Sequence, residues 1–217
     1  MYILDTIENE KIRRVEELED PQKNFSMLVK DFSKFATERD QKKIHDFYHL
    51  LLKFEYSHPG LDKLAYMAHP IRVARLYISY CENFRIETLK LALAHNLLEL
   101  TGLDEEDLKQ DSLKPISHMI KKLTVDRPRQ WDWDYKSNYY EQISISSEMS
   151  VVKVLDKLDN LYLLSNNPNR EIKFLYLDEI EKFIMPLANT FIPKLEGIIS
   201  DLVIFNKKEL EGDTDEI

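Results

Sequence analysis

The chain has 217 residues, of which 43% are hydrophobic and 11% aromatic, so it can form one domain with a sizeable core but not two large ones. It carries 30 basic and 39 acidic residues, a net charge of −9, which disfavours a nucleic-acid binder because such proteins present a basic surface. Its 4 glycines are far apart, which excludes glycine-rich dinucleotide and phosphate-binding loops and favours helices over turn-rich β architectures.

The N-terminal half is predicted to consist of helices separated by polar and proline-containing breaks. Residues 1–24 form a charged segment with helical character, the main helical domain covers 25–206, and 207–217 form an acidic tail, in which we expect residues 209–216 to be frayed and solvated. Pro70 is expected in the first turn of a helix, where proline has no hydrogen bond to lose. The helices predicted from apolar spacing in this half cover residues 25–56, 70–81, 86–100 and 104–123.

The C-terminal half begins with a predicted loop over residues 125–134, followed by a long helical region from Tyr135. A polar break at 165–169 separates this region from a final helical region, which is kinked or divided at Pro186 and Pro193. Since no run of residues alternates with a period of two, the predicted fold class is all-α.

The single cysteine, Cys81, cannot form an internal disulfide, which indicates an intracellular protein. It lies in an apolar stretch, LYISYC, and is predicted to be a small core residue and not a nucleophile. The N-terminus lacks the pattern of a signal peptide, and no stretch approaches the roughly 18–20 apolar residues of a membrane span. We therefore expect a soluble cytoplasmic protein that does not bind membranes.

The segment ETLKLALAHNLLELTG, residues 87–102, combines an apolar helix with three polar residues. Leucines and alanines cover every side of its helical wheel, which is typical of a helix buried in the core. His95, Asn96 and Glu99 lie in the middle, with His95 and Glu99 four residues apart on one face. Since a buried polar group without a partner costs about 1–3 kcal/mol, the segment contains either a polar functional site or a self-satisfied core network.

Two further segments carry isolated polar residues. In SVVKVLDKLDNLYLL, residues 150–164, Asp156 and Asn160 lie four apart beside an apolar stripe, and Asp159 is expected to be solvated. His69 lies at the predicted start of a helix. Taken alone, Asp156 is compatible with a surface or ion-paired carboxylate, and His69 with a cap or a surface residue.

In this order, AHP (68–70), ALAHNLLELT (92–101) and VKVLDKLDNL (152–161) resemble the motifs of the HD-domain metal-dependent phosphohydrolases. The chain most resembles the hydrolase domain of the RelA/SpoT-type alarmone enzymes, which remove the 3′-pyrophosphate of guanosine tetra- and pentaphosphate. The resemblance covers residues 45–165 and includes KKLTVDR (121–127). It implies a single HD-domain helical bundle with a C-terminal helical extension, without the synthetase half of the long family members.

The resemblance implies a metal centre. The positions that match the family's metal ligands are His69, His95, Asn96 and Asp156. The implied cofactor is a divalent ion, which in this family is typically manganese, and imidazole and carboxylate ligands suit such an ion. Glu99 matches the glutamate that helps to position or deprotonate the attacking water.

The resemblance also implies a partner, which is a nucleotide or another phosphorylated small molecule. Neither nucleic acid nor a membrane is an expected partner, and a homo-oligomer remains open. Substrate contacts are assigned to Asn160, Lys63, Arg72 and Lys153.

Two positions depart from the family pattern. Asn96 replaces the aspartate of the HD motif, so the motif reads His-Asn and one anionic ligand remains instead of two. Leu100 replaces the aspartate of a Glu-Asp pair, and leucine can neither orient water nor move a proton. The chain is therefore either an active phosphohydrolase, resembling guanosine 3′,5′-bis(diphosphate) 3′-pyrophosphohydrolase, or a degenerate HD domain that binds a nucleotide or protein partner without hydrolysis. A di-iron oxygenase on the same scaffold ranks last because it needs more ligands.

Two groups of aromatic and histidine residues lie outside these motifs. Trp131, Trp133 and Tyr135 follow two arginines, and they either stack on a nucleotide base or pack against the core or another subunit. Packing is favoured because tryptophan and tyrosine often serve that purpose. His45 and His49 lie four apart on one predicted helix, where charged neighbours indicate a solvated face.

Overall fold

The computed structural model describes residues 2–17, 21–58 and 63–212, and it confirms the predicted all-α class. Within these residues, β pairing is limited to one isolated bridge between Tyr56 and Thr101. Short 3-10 turns and a π-helical stretch connect some of the helices. The α-helices are α1 (Tyr2–Glu16), α2 (Pro21–Ser33), α3 (Glu38–Leu51), α4 (Lys63–Tyr80), α5 (Ile86–Ala94), α6 (Leu97–Leu100), α7 (Ser117–Leu123), α8 (Trp133–Ser144), α9 (Ser147–Tyr162), α10 (Arg170–Glu179), α11 (Met185–Phe191) and α12 (Glu196–Gly212).

Helices α4, α5 and α9 contact one another at the centre of the fold, while α2 packs on α4, α3 on α5, and α11 and α12 on α9. Helix α9 begins at Ser146, whose hydroxyl accepts a hydrogen bond from the backbone N–H of Met149. Val152, Leu155 and Leu158 are buried on α9, because apolar residues three or four apart share one side of a helix. The polar residues between them are therefore held against α4 and α5.

Pro70 lies inside α4 and not in its first turn, so the predicted helix start at residue 70 is wrong. Proline lacks the N–H that would bond to the carbonyl of Tyr66, which weakens the helix at this point. The helix continues through it because Met67, Ile71 and Ala74, on both sides of the proline, are fully buried. His69 is thereby fixed in the middle of a core helix. Residues 59–62, between the helices predicted over 25–56 and 70–81, lie outside the described residues.

The predicted helix over residues 86–100 is interrupted in the structure at His95 and Asn96, which separate α5 from α6. The ring Nδ1 of His95 bonds the backbone carbonyl of Ala92 at 2.8 Å, inside the last turn of α5. The predicted helix over 104–123 is also wrong, since only α7 at its end is α-helical. Pro115 lies before α7 and cannot continue a longer helix.

The two ends of the chain pack onto the core. Helix α1 lies against α9, with Ile7 and Arg14 buried. Helix α12 continues to Gly212 with Leu210 buried, so residues 209–212 are not frayed as the sequence suggested, although Glu209, Glu211 and Gly212 are exposed. The reason is that Leu210 extends the apolar side of α12. Residue 1, residues 18–20 of the charged N-terminal segment and residues 213–217 of the acidic segment lie outside the described residues.

The division of the C-terminal helical region follows its prolines. Pro186 lies in the first turn of α11, and Pro193 begins a 3-10 turn between α11 and α12. Cys81 is half-buried after α4, and burial raises the pKa of its thiol to about 11, which opposes a role as a nucleophile. Within the described residues, every helix is too short or too polar to cross a lipid bilayer.

Candidate metal centre and its cavity

Three side chains from separate helical segments converge on one point at the centre of the fold. His69 comes from α4, His95 from the break after α5, and Asp156 from α9. His69 Nε2 lies 3.2 Å from His95 Nε2 and 3.2 Å from Asp156 Oδ1. His95 Nε2 lies 3.5 Å from the same carboxylate oxygen. Donor atoms bound side by side to one ion at about 2.1 Å are about 3 Å apart, so these separations suit a single metal ion.

Each histidine is oriented by a hydrogen bond from its other ring nitrogen. His69 Nδ1 lies 2.8 Å from Asp159 Oδ2, and His95 Nδ1 lies 2.8 Å from the carbonyl of Ala92. Both partners are acceptors, so Nδ1 carries the proton in each ring and Nε2 presents its lone pair to the common point. Two imidazole nitrogens and one carboxylate oxygen form a donor set that suits a first-row divalent ion.

Asp156 is held as a carboxylate by its neighbours. Its Oδ2 accepts a hydrogen bond from Lys153 Nζ at 2.9 Å, and its Oδ1 accepts one from Asn160 Nδ2 at 2.9 Å. Burial alone would raise the pKa of Asp156, but the Lys153 ammonium holds it well below its ordinary value. Since Lys153 cancels the charge of Asp156, the three donors present little net negative charge.

Asp159 is fully buried, so the prediction that it is solvated is wrong. It accepts hydrogen bonds from Arg72 Nε at 2.9 Å and from Arg14 Nε at 3.1 Å, besides its contact with His69. Burial alone would raise its pKa, but Arg72 and His69 hold it far below the ordinary value. The sequence contains one indication of this burial, because Asp159 lies four residues after Leu155 on the apolar side of α9.

Glu99 and Asn96 lie beside the cluster on the wall of the same cavity. Glu99 Oε1 accepts a hydrogen bond from the backbone N–H of Val125 at 2.8 Å, and Oε2 lies 2.7 Å from the guanidinium of Arg127. The half-buried Asn96 side chain hydrogen-bonds the hydroxyl of Tyr66, whose pKa is raised well above its ordinary value by burial.

The cavity has a volume of about 640 Å³ and extends from His69 and Asp156 to a second charged group. Arg72, Lys153 and Asn160 line it, but each is engaged with Asp159 or Asp156. Lys63 is the first residue of α4 and is not among the described residues that line the cavity. The structure thus brings most of the predicted site residues together and leaves Lys63 outside the cavity wall.

The second charged group of the cavity was not predicted. Glu179 on α10 lies 2.6 Å from Lys136 and 3.1 Å from Lys157, and it accepts a hydrogen bond from the Tyr140 hydroxyl at 2.6 Å. Burial alone would raise the pKa of Glu179, but Lys157 and Lys136 lower it to about 2. Burial lowers the pKa of Lys136 to about 8. Single lysines and glutamates on separate helices give no sequence pattern by which such a group can be recognised.

The aromatic residues of the loop separate into two roles. Trp131 and Tyr135 line the cavity, and Lys136 Nζ lies 4.3 Å from the Trp131 ring centroid. Trp133 instead stacks on Phe183, with ring centroids 6.1 Å apart. Packing is therefore the role of Trp133, whereas Trp131 and Tyr135 face the space that a ligand would occupy.

The exposed histidine pair lies apart from the cavity. His45 and His49 lie on α3 with their Nε2 atoms 3.1 Å apart, and both side chains are exposed. This agrees with the solvated face predicted for them.

No family model and no curated protein matches this sequence. The fold is similar to the solved structure of a metazoan ortholog of SpoT, which hydrolyzes ppGpp and plays a role in starvation responses. The two chains are 19% identical, the similarity covers 81% of this chain and 98% of the other, and the TM-score is 0.60. The resemblance that the motifs predicted is thus confirmed at the level of the fold, because this chain shares its all-α fold with the metazoan SpoT ortholog.

Proposed function

We propose that the protein is a divalent-metal-dependent phosphohydrolase that acts on a phosphorylated nucleotide. The observation that carries the proposal is the convergence of His69 Nε2, His95 Nε2 and Asp156 Oδ1 at one end of a cavity lined by lysines and arginines. The hydrolysis of ppGpp by the metazoan SpoT ortholog supports guanosine 3′,5′-bis(diphosphate) as the first substrate to test.

His69, His95 and Asp156 would hold the ion, for which we propose manganese, and the amide oxygen of Asn96 would be a fourth ligand. A bound divalent ion acidifies water and polarises a phosphoryl oxygen. Asp159 accepts a hydrogen bond from the Nδ1–H of His69, and this keeps the lone pair of Nε2 directed toward the ligand position.

Glu99 is the group that we propose to accept a proton from the attacking water. Its side chain is 2% exposed, and Arg127, which covers its Oε2, is 55% exposed and therefore free to move. When Arg127 turns toward a phosphate group, Oε2 becomes available as a proton acceptor while the Val125 N–H still holds Oε1.

Recognition of the substrate combines charge and stacking. Arg127, Lys136 and Lys157 line the cavity and face the phosphate groups, and Trp131 offers a ring for the base. Arg72 is buried against Asp159 and acts in our proposal as a support for His69, while Lys153 and Asn160 hold Asp156. The contact predicted for Lys63 stays a prediction.

The test is a hydrolysis assay on the full chain. Protein freed of metal with a chelator is given Mn²⁺ and a nucleotide panel that includes guanosine 3′,5′-bis(diphosphate), and the release of phosphate and pyrophosphate is measured. We expect release that depends on Mn²⁺ and falls by about 10²- to 10⁴-fold in Glu99→Gln, since proton transfer contributes such factors. Glu181→Gln, an exposed change on a surface ion pair, is the matched control. Absence of any release from the panel would contradict the proposal.

A second candidate function is nucleotide binding without hydrolysis. It is favoured by Leu100, which forms part of the cavity wall without offering any polar group beside Glu99. Tight nucleotide binding in calorimetry, without product and with the chelator present, would select this function. A large gain of hydrolysis in the Asn96→Asp, Leu100→Asp double variant would identify the natural chain as an impaired hydrolase.

A further inference from the structure

We propose that helix α1 contributes to the metal centre, because its Arg14 holds Asp159, which in turn fixes His69 in the orientation that binds the ion. Arg14 is thus a positioning residue, 55 positions before His69 in the sequence. The inference rests on the proposed function only in taking the His69 cluster as the metal site.

Asp159 is the junction between α1 and the donor atoms. Its Oδ1 accepts hydrogen bonds from Arg14 Nε at 3.1 Å and from Arg72 Nε at 2.9 Å. Its Oδ2 accepts one from Arg72 Nη2 at 2.9 Å and lies 2.8 Å from His69 Nδ1. The Arg14 and Asp159 side chains are 2% and 0% exposed, so no water replaces these partners. The carboxylate therefore cannot turn without breaking a bond to one of the three residues.

Several contacts hold Arg14 and α1 in place. The guanidinium carbon of Arg14 lies 3.8 Å from the ring centroid of Tyr162 at the end of α9, and Glu10 on α1 pairs with the same guanidinium. Glu17, directly after α1, lies 3.2 Å from Arg75 on α4. Helix α1 is thus tied to both helices that supply His69 and Asp156, and its displacement would withdraw Arg14 from Asp159.

The consequence for His69 follows from the geometry of carboxylates. With Arg14 in place, Oδ1 is shared between two guanidinium groups, and Oδ2 is shared between Arg72 and the imidazole. Arg72 already bonds both oxygens, so without Arg14 the carboxylate loses its partner on α1 and can shift together with Arg72 as a bidentate pair, which weakens the hydrogen bond to His69. A hydrogen bond of this kind sets the tautomer and the orientation of a ligating histidine, and its loss typically weakens metal binding by 10- to 100-fold.

The experiment compares Arg14→Met with Arg13→Met in the full chain. Arg13 is the matched control, since it is the neighbouring arginine of α1 and shares Glu10 and Glu17 with the contacts that hold α1, but its hydrogen bonds end on these glutamates and it acts on Asp159 only through its charge. Chelator-treated protein is titrated with Mn²⁺ in a calorimeter. We expect the Kd to rise by about 10- to 100-fold in Arg14→Met, and to stay at the wild-type value in Arg13→Met.

A second readout needs no metal. In the metal-free protein, the Nδ1 proton and nitrogen of His69 are observed by NMR, and Arg14→Met should shift or broaden this signal while Arg13→Met leaves it in place. If both variants bind Mn²⁺ like the wild type and the signal does not move, Arg14 is only structural and the inference is overturned while the proposed function stands. If the wild type binds no Mn²⁺, the proposed function falls, and the His69 signal alone decides whether α1 acts on His69. If Arg14→Met does not fold, Arg14→Lys, which cannot donate from Nε, takes its place.

Discussion

Replacing Asn96 by aspartate should turn a weak metal site into a strong one. Asp156 is the one carboxylate among the three convergent donors, and Lys153 cancels its charge at 2.9 Å. Asp159 is paired with Arg14 and Arg72, so its negative charge is likewise neutralised before it can act on the ion. An added carboxylate next to His95 would therefore supply the first unpaired negative charge beside the ion.

The size of the effect follows from Coulomb's law. A carboxylate and a divalent ion about 4 Å apart attract by about 2 kcal/mol in water and by about 8 kcal/mol at an effective dielectric constant of 20, since the ion carries two charges. Asn96 is half-buried, and a new carboxylate there loses part of its hydration, so we expect a net gain of about 2 kcal/mol. This corresponds to Mn²⁺ binding that is about 30-fold tighter.

The assay is calorimetric titration with Mn²⁺, supported by thermal unfolding. Without metal, Asn96→Asp should lower the Tm, because two carboxylates then face each other across the site. At a saturating Mn²⁺ concentration the order should reverse, with the variant gaining about 2 kcal/mol, or about 4–8 °C for a chain of this size. Asn96→Ala is the control for loss of the amide. If Asn96→Asp stays folded and binds Mn²⁺ no more tightly than the wild type, then the side chain at position 96 does not reach the ion.

Other predictions concern the far side of the cavity. Glu179 has a pKa lowered to about 2 against an ordinary 4.5, so the folded chain binds fewer protons than the unfolded chain between these values. Its contribution of about 3 kcal/mol should be present above about pH 4.5 and be lost as the pH falls toward 2, and urea unfolding of Glu179→Gln should show a flatter pH dependence. Trp131→Ala should weaken nucleotide binding by about 1–3 kcal/mol in calorimetry and leave the Tm unchanged. Trp133→Ala should lower the Tm and leave nucleotide affinity unchanged, because its ring stacks on Phe183. Equal effects of the two substitutions on nucleotide affinity would contradict these separate roles.

The sequence predicted the helical class and the convergent donors for different reasons. Apolar spacing located most helical regions but missed several of their ends and breaks, such as the break between α2 and α3 inside the predicted helix over 25–56. It cannot show where a polar side chain competes with the backbone, as His95 does with the carbonyl of Ala92. The meeting of His69 with Asp156, 87 positions apart, followed from the order of the motifs and their resemblance to a known family. No local pattern joins such distant residues.

The sequence of helix α9 alone does not determine whether Asp159 is buried. A carboxylate on the apolar side of α9 is costly unless charged partners accompany it into the core. Those partners, Arg14 and Arg72, come from two other helices, so the sequence of α9 alone favoured solvent. The same holds for Glu179 and Lys136, whose pairing depends on how α10 meets α8.

The charge of the cavity leads to a last prediction, that nucleotide binding depends on the metal. Among the described residues that line it, five are lysine or arginine and three are aspartate or glutamate, within a chain of net charge −9. Each of the three carboxylates already holds a cation of the cavity: Glu99 holds Arg127, Asp156 holds Lys153, and Glu179 holds Lys136 and Lys157.

The phosphate groups of a nucleotide must therefore compete with the protein's own carboxylates for these cations, whereas a divalent ion adds charge that no residue of the cavity neutralises. We expect guanosine 3′,5′-bis(diphosphate) to bind at least about tenfold more tightly with Mn²⁺ than with chelator, a difference of about 1.4 kcal/mol. Calorimetry on Glu99→Gln, which binds substrate without rapid turnover, measures both affinities. Glu99→Gln also frees Arg127 from its ion pair, so a second variant is needed as a control. In His95→Ala, which lacks a metal ligand, the affinity with Mn²⁺ should equal the affinity with chelator. Equal affinities with and without Mn²⁺ in Glu99→Gln would show that the cavity attracts phosphate by its own side chains.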